Sequence, residues 1–194
     1  FQVDQIGRSN FTIPYFDGSL SISRASRTFP QFLIFKPAMI ITGILLIFYW
    51  NINNELINNF YKTKRNYKFK LFGILSAIFL ILHSILLGVS FDISIFKLLR
   101  RVVLLGFIIF EIIAQCILVY NFFKLKKVID KFFNKNILKL KILLVSLLSS
   151  VAILSLPLLI VRGNIHFKHG LEWNYFLGVI MFYLLTNFFW KKTT

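Results

Sequence analysis

Residues 98–122 read LLRRVVLLGFIIFEIIAQCILVYNF, and this stretch decides the fold. It is longer than the roughly 20 mostly apolar residues that a helix needs to cross the hydrocarbon core of a bilayer. After the arginine pair near its start, its only charged residue is Glu111, close to the middle. Four more apolar runs lie at about 32–50, 69–90, 142–161 and 171–190, and hydrophobic residues make up 57% of the 194-residue chain. The expectation is an all-α integral membrane protein: one helical bundle over residues 1–194, with five transmembrane helices and no room for a soluble domain. Residues 1–31 form a polar segment ahead of the first span.

The formal net charge is +16, from 23 Lys and Arg against 7 Asp and Glu. In a soluble protein that excess would point to nucleic acid. Here the cations cluster in loops between apolar runs, so orientation by the positive-inside rule accounts for them and no nucleic-acid partner is expected. One loop carries Lys62, Lys64, Arg65, Lys68 and Lys70, the loop over 124–141 carries seven lysines, and the tail adds Lys191 and Lys192. All three face one side if every run spans, which places the N-terminal segment outside and the C-terminus inside. Anionic lipid headgroups at the inner face are the natural electrostatic partner. Residues 1–29 lack the basic start and apolar core of a signal peptide. An outside N-terminus then calls for a targeting peptide already removed or an upstream helix. The helix is preferred, giving six spans. The single cysteine, Cys116, lies within a span and excludes an internal disulfide.

Ionisable groups at membrane depth are costly, so they are the first candidates for function. Glu111 heads them. Arg100 lies eleven residues before it, close to three helical turns, so the two share a face with Leu104, Phe107 and Gln115. His83 falls in the outer half of the second run, Arg101 beside Arg100, Arg162 at the end of the fourth, and His166, His169 and Glu172 at the start of the fifth. The candidate site gathers Arg100, Arg101, Glu111, Glu172, His83, Arg162, His166 and His169 into one polar pocket that opens to the outer leaflet, with acid, base and cation together, enough for a proton relay or for gripping an anionic lipid headgroup. The competing reading makes Glu111 a packing residue, paired with one cation or held protonated, and gives His83 a single interhelical hydrogen bond.

The spacing His166-x-x-His169-x-x-Glu172 offers three ligand types, but Gly170 interrupts it and no H-E-x-x-H signature exists, so no metal and no cofactor are expected. No phosphate loop, catalytic triad order or CxxC is present either, and no catalytic residue is assigned. Asn10-Phe11-Thr12 matches a glycosylation sequon. Pro37 is placed in the first turn of its helix, where it costs little, and Pro157 within the fourth. Residues 123–141 could form an amphipathic helix on the inner surface through Val128, Ile129, Phe132, Phe133 and Ile137, or simply extend the neighbouring spans. Trp50, Trp173 and Trp190 fall at span ends, as interface anchors do.

The segment Pro14-Tyr15 through Ser21-Ile22-Ser23 to Phe29-Pro30, leading into Phe35, resembles the region after the first helix in the Frag1/DRAM/Sfk1-like six-span family. Leu171-Glu172-Trp173-Asn174 is similar to the acidic-aromatic entry of that family's last helix, whereas Arg24-Ala25-Ser26 departs from its pattern after Ile-Ser. The resemblance implies a sixth, upstream helix and a lipid-related role in glycolipid-anchor remodelling, trafficking or autophagy. It names no reaction.

Three functions compete. One is a noncatalytic lipid-interacting membrane protein. Another is an accessory subunit of a larger membrane complex, using small-residue faces such as Gly73, Ser76 and Ala77, or Ser146, Ser149 and Ser150, against other membrane subunits. The third is a small transporter or a lipid-modifying enzyme, which requires a water-accessible cavity reaching Glu111.

Overall fold

The computed structural model describes residues 13–26, 29–62, 67–87, 94–126, 132–160 and 163–190. The described elements are helical: two short helices, α1 (Pro14–Asp17) and α2 (Ile22–Ala25), then five long ones. These are α3 (Gln31–Tyr61), α4 (Lys68–Leu86), α5 (Ser94–Leu125), α6 (Lys135–Ile160) and α7 (Ile165–Asn187). Four are long and apolar enough to cross a membrane, over Gln31–Tyr61, Lys68–Leu86, Leu98–Leu125 and Lys135–Ser155. The fifth run forms α7, but Glu172, Trp173, Asn174 and Tyr175 lower its hydropathy, and it is not among the four.

Burial follows the helical repeat. On α4 the buried residues Phe69, Gly73, Ser76, Leu80, His83 and Leu87 recur at alternating steps of four and three. On α5 the matching stripe is Val103, Phe107, Glu111, Ala114, Leu118, Phe122 and Leu125. Such stripes bring two helices together along their length, and small residues let the backbones approach. Gly73 shows how closely: a Cβ there would sit 2.2 Å from the Trp50 ring of α3. The Gly73, Ser76 and Ala77 face is thus consumed inside the bundle and is not open to a partner. The opposite faces carry Ile41, Leu45 and Phe48 on α3, Leu105 and Ile109 on α5, and Leu143 and Leu147 on α6, all exposed. Exposed apolar surface on every long helix is what a lipid environment requires.

Several local expectations change. Trp50 is fully buried between Gly73, Phe69 and Tyr49, a core residue rather than an interface anchor. Trp173 and Trp190 are half-buried. Pro37 stands seven residues into α3, in its second turn, because the helix begins at Gln31; it removes the hydrogen bond to the Leu33 carbonyl. Among the described residues of 123–141, α5 ends at Leu125 and α6 starts at Lys135. Between them Phe133 pairs with Trp190 in an isolated bridge, stacks 5.2 Å from Phe189, and is fully buried. Asn134 N–H donates to the Phe189 carbonyl at 2.8 Å. The end of this loop is therefore tied to the C-terminal end of α7. Val128 and Ile129, the sequon at Asn10, and Lys191 and Lys192 lie outside the described residues.

The N-terminal segment folds back onto the start of α7. Trp173 Nε1 donates to the Leu20 carbonyl at 2.7 Å, and Asn174 Nδ2 to the Tyr15 carbonyl at 3.0 Å. The Tyr15 and Trp173 rings meet edge to face at 5.2 Å. Gly18 makes this approach possible. Its φ is +61°, and a Cβ would lie 1.7 Å from the His166 carbonyl oxygen.

Candidate functional site

A buried polar network joins all five long helices. Glu111 of α5 is fully buried. Its Oε2 receives Ser76 Oγ of α4 at 2.6 Å, and its Oε1 accepts from Gln115 Nε2 at 2.9 Å and from the Tyr183 hydroxyl of α7. Glu111 and Gln115 are four residues apart, so both point into the bundle from one helix face. The Tyr183 ring packs edge to face on Tyr49 of α3, with centroids 5.0 Å apart. One turn along α7, Thr186 Oγ1 lies 3.4 Å from the Tyr49 hydroxyl and accepts from Lys141 Nζ of α6 at 2.7 Å. Lys141 is 1% exposed, and its ammonium sits 4.2 Å from the Phe182 ring centroid and 5.3 Å from that of Phe189. Aromatic faces stabilise such a desolvated cation by about 2 kcal/mol.

The other expected site residues are not gathered around Glu111. His83 and Glu172 do come together, lining a small cleft of about 40 Å³ with Phe107 and Tyr175. Glu111 is absent from that lining and faces Ser76, Gln115 and Tyr183 instead. The Arg100 guanidinium lies over Phe96 at 5.3 Å, and Arg101 is exposed. His169 Nδ1 is 3.0 Å from the Gly18 carbonyl, where it pins the N-terminal segment. His166 lines a separate cavity, and Arg162 lies outside the described residues. Among the described residues, no three or more of His, Cys, Asp and Glu are grouped to hold a metal ion.

That separate cavity lies between α6 and α7 and measures about 550 Å³, within the range of small-molecule and cofactor sites. Leu144, Leu147, Leu148 and Val151 of α6 form one wall, and Leu171, Tyr175 and Gly178 of α7 the other. Gly178 keeps the helices close, since a Cβ there would be 2.5 Å from Leu148. Tyr175 ties them, its hydroxyl donating to the Leu148 carbonyl at 2.9 Å. The mouth, built by α1 and the first turns of α7, carries Tyr15, Asp17, His166 and Asn174 beside Phe16 and Phe167. Asp17 Oδ1 accepts from the Ser19 N–H at 2.8 Å and Oδ2 from the Ile13 N–H at 3.0 Å. The Ser19 N–H bond, more than any other contact, holds this carboxyl below its ordinary value.

Neither the cavity nor the inner half of the network is marked in the sequence. Gln115 shares the Glu111 face, and Ser76 stands out only as a small residue, whereas Tyr183 and Thr186 are ordinary residues in apolar runs. Lys141 is one of seven lysines in its loop, distinguished only by its place at the edge of the fourth run. No protein-family model, curated protein or solved structure matches this chain.

Proposed function

We propose that this chain is a noncatalytic integral membrane protein that binds a lipid between α6 and α7. The observation carrying this reading is the cavity of about 550 Å³, apolar along both helix walls and polar at the mouth beside α1. An acyl chain suits such walls and a headgroup suits the mouth. In this reading α7 is a fifth span with the N-terminal segment outside. Three of its polar residues support that placement by facing inward: Tyr183 reaches Glu111, Tyr175 reaches Leu148, and Thr186 meets Lys141. The resemblance to the Frag1/DRAM/Sfk1-like family points the same way, toward lipids. The headgroup site is thereby moved from Arg100, Arg101 and Glu111 to the mouth formed by α1 and α7.

The test is native mass spectrometry of protein extracted gently from its own membrane. The wild-type protein is expected to retain a lipid-sized adduct. Leu147→Trp, which fills the cavity from an exposed position, should lose it. A protein free of lipid, or adducts unchanged by Leu147→Trp, would refute the reading.

A further inference from the structure

The chain carries 23 Lys and Arg, yet among the described residues none lines the cavity between α6 and α7. The ionised side chain at its mouth is a carboxylate, Asp17, one of only seven acids in the chain. Asp17 is exposed, and its two backbone bonds fix the carboxylate while leaving lone pairs for a ligand. Around it stand further acceptors and aromatic faces. Both Asn174 amide hydrogens are engaged, by the Tyr15 and Gly170 carbonyls, so its Oδ1 is what remains to offer a ligand. Tyr15 and Phe16 line the same cavity, and Phe16 is 89% exposed. A carboxylate with an acceptor oxygen and aromatic rings recognises a cation. An anionic headgroup would meet the Asp17 charge, and among the described lining residues only His166 could offset it.

Resting on the lipid reading above, we infer that the cavity selects a phospholipid with an ammonium-bearing headgroup, the ammonium at Asp17 and the phosphate toward His166. The apolar walls take the acyl chain of any lipid, so they set affinity. The mouth sets the class. This preference is opposite in sign to that of the inner loops, where clustered lysines attract anionic headgroups. Two faces of one protein thus prefer different lipids.

The experiment is competitive native mass spectrometry on the purified full chain, with equimolar phosphatidylethanolamine, phosphatidylcholine and phosphatidylglycerol of identical acyl chains. The expected result is an ammonium lipid retained about fivefold over phosphatidylglycerol, the factor that roughly 1 kcal/mol of charge complementarity gives. A bias to the ethanolamine lipid assigns the ammonium to hydrogen bonds with Asp17, and equal retention of the choline lipid assigns it to the aromatic faces; both support the inference. Asp17→Asn should lower the preference toward unity. Phe16→Lys, at a side chain open to solvent, should turn it toward phosphatidylglycerol without disturbing the fold. Equal or greater retention of phosphatidylglycerol by the wild type overturns the headgroup inference and leaves the lipid cavity standing. Loss of all lipid, or a protein chain bound in its place, overturns both.

Discussion

Ser76 Oγ lies 2.6 Å from Glu111 Oε2 and 2.8 Å from the Gly73 carbonyl oxygen. A hydroxyl has one hydrogen and cannot donate to both. If the carboxyl carries a proton on Oε2, it donates to Ser76, Ser76 donates to Gly73, and every short contact holds a hydrogen. Oε1 then accepts from Gln115 and Tyr183. That arrangement also avoids an uncompensated charge inside the bundle.

Glu111→Gln should therefore be tolerated, with a stability change within about 1 kcal/mol, because the amide can donate to Ser76 and accept from Tyr183. Glu111→Leu strands the Gln115 and Tyr183 donors and should cost about 2 kcal/mol or more. Thermal melting of the two variants in detergent separates these outcomes. Equal damage from both would mean that the network binds a charged carboxylate.

Lys141 predicts a different contrast. It is buried with its ammonium over Phe182 and Phe189, and among the described residues no carboxylate pairs with that ammonium. Lys141→Met keeps the volume and removes the charge, so it should be neutral or stabilising by about 1 kcal/mol. Lys141→Ala opens a cavity and should cost about 2–4 kcal/mol. The same melting assay reads both, and a Met variant as unstable as the Ala variant would assign the ammonium an essential role.

Gly18→Ala should detach the N-terminal segment and leave the bundle folded. Its Cβ would collide with the backbone of His166, which cannot rotate away, and its φ of +61° is unfavourable for alanine. Hydrogen exchange should rise over residues 13–26 while α4 and α5 stay protected.

Acid should loosen the same docking. Burial lowers the His169 imidazole below its ordinary 6.5, the Gly18 carbonyl partly offsets this, and Arg24 and His166 add repulsion. A group lowered in the docked state contributes fully above 6.5, and its contribution is lost as pH falls through the docked value. Asp17 acts in the same direction further down, since its carboxyl is held below 3.8. Exchange over residues 13–26, corrected for intrinsic rates, should therefore rise from pH 7 to pH 5, and His169→Gln should flatten that rise.

The apolar runs gave the long helices to within a few residues where burial follows a simple period, as on α4 and α5. Helix ends were less legible. α3 continues through Asn53 and Asn54 to Tyr61 because those side chains find partners: Asn53 Nδ2 donates to the Tyr49 carbonyl, and Asn54 Oδ1 accepts from the Tyr67 N–H at the start of α4. Composition could not reveal such contacts. The burial of Trp50 is hidden for a related reason, since its surroundings depend on a glycine in the next helix.

Sequence by itself determined that the chain forms long apolar helices, that its cations cluster outside their apolar centres, and that Glu111 is exceptional, because length, hydropathy and charge are local properties. Tertiary structure decided what meets Glu111, that Lys141 is buried, and that a cavity opens between α6 and α7. Those outcomes depend on how helices distant in sequence turn and cross. One glycine at Gly73 or Gly178 sets a distance that no local pattern encodes.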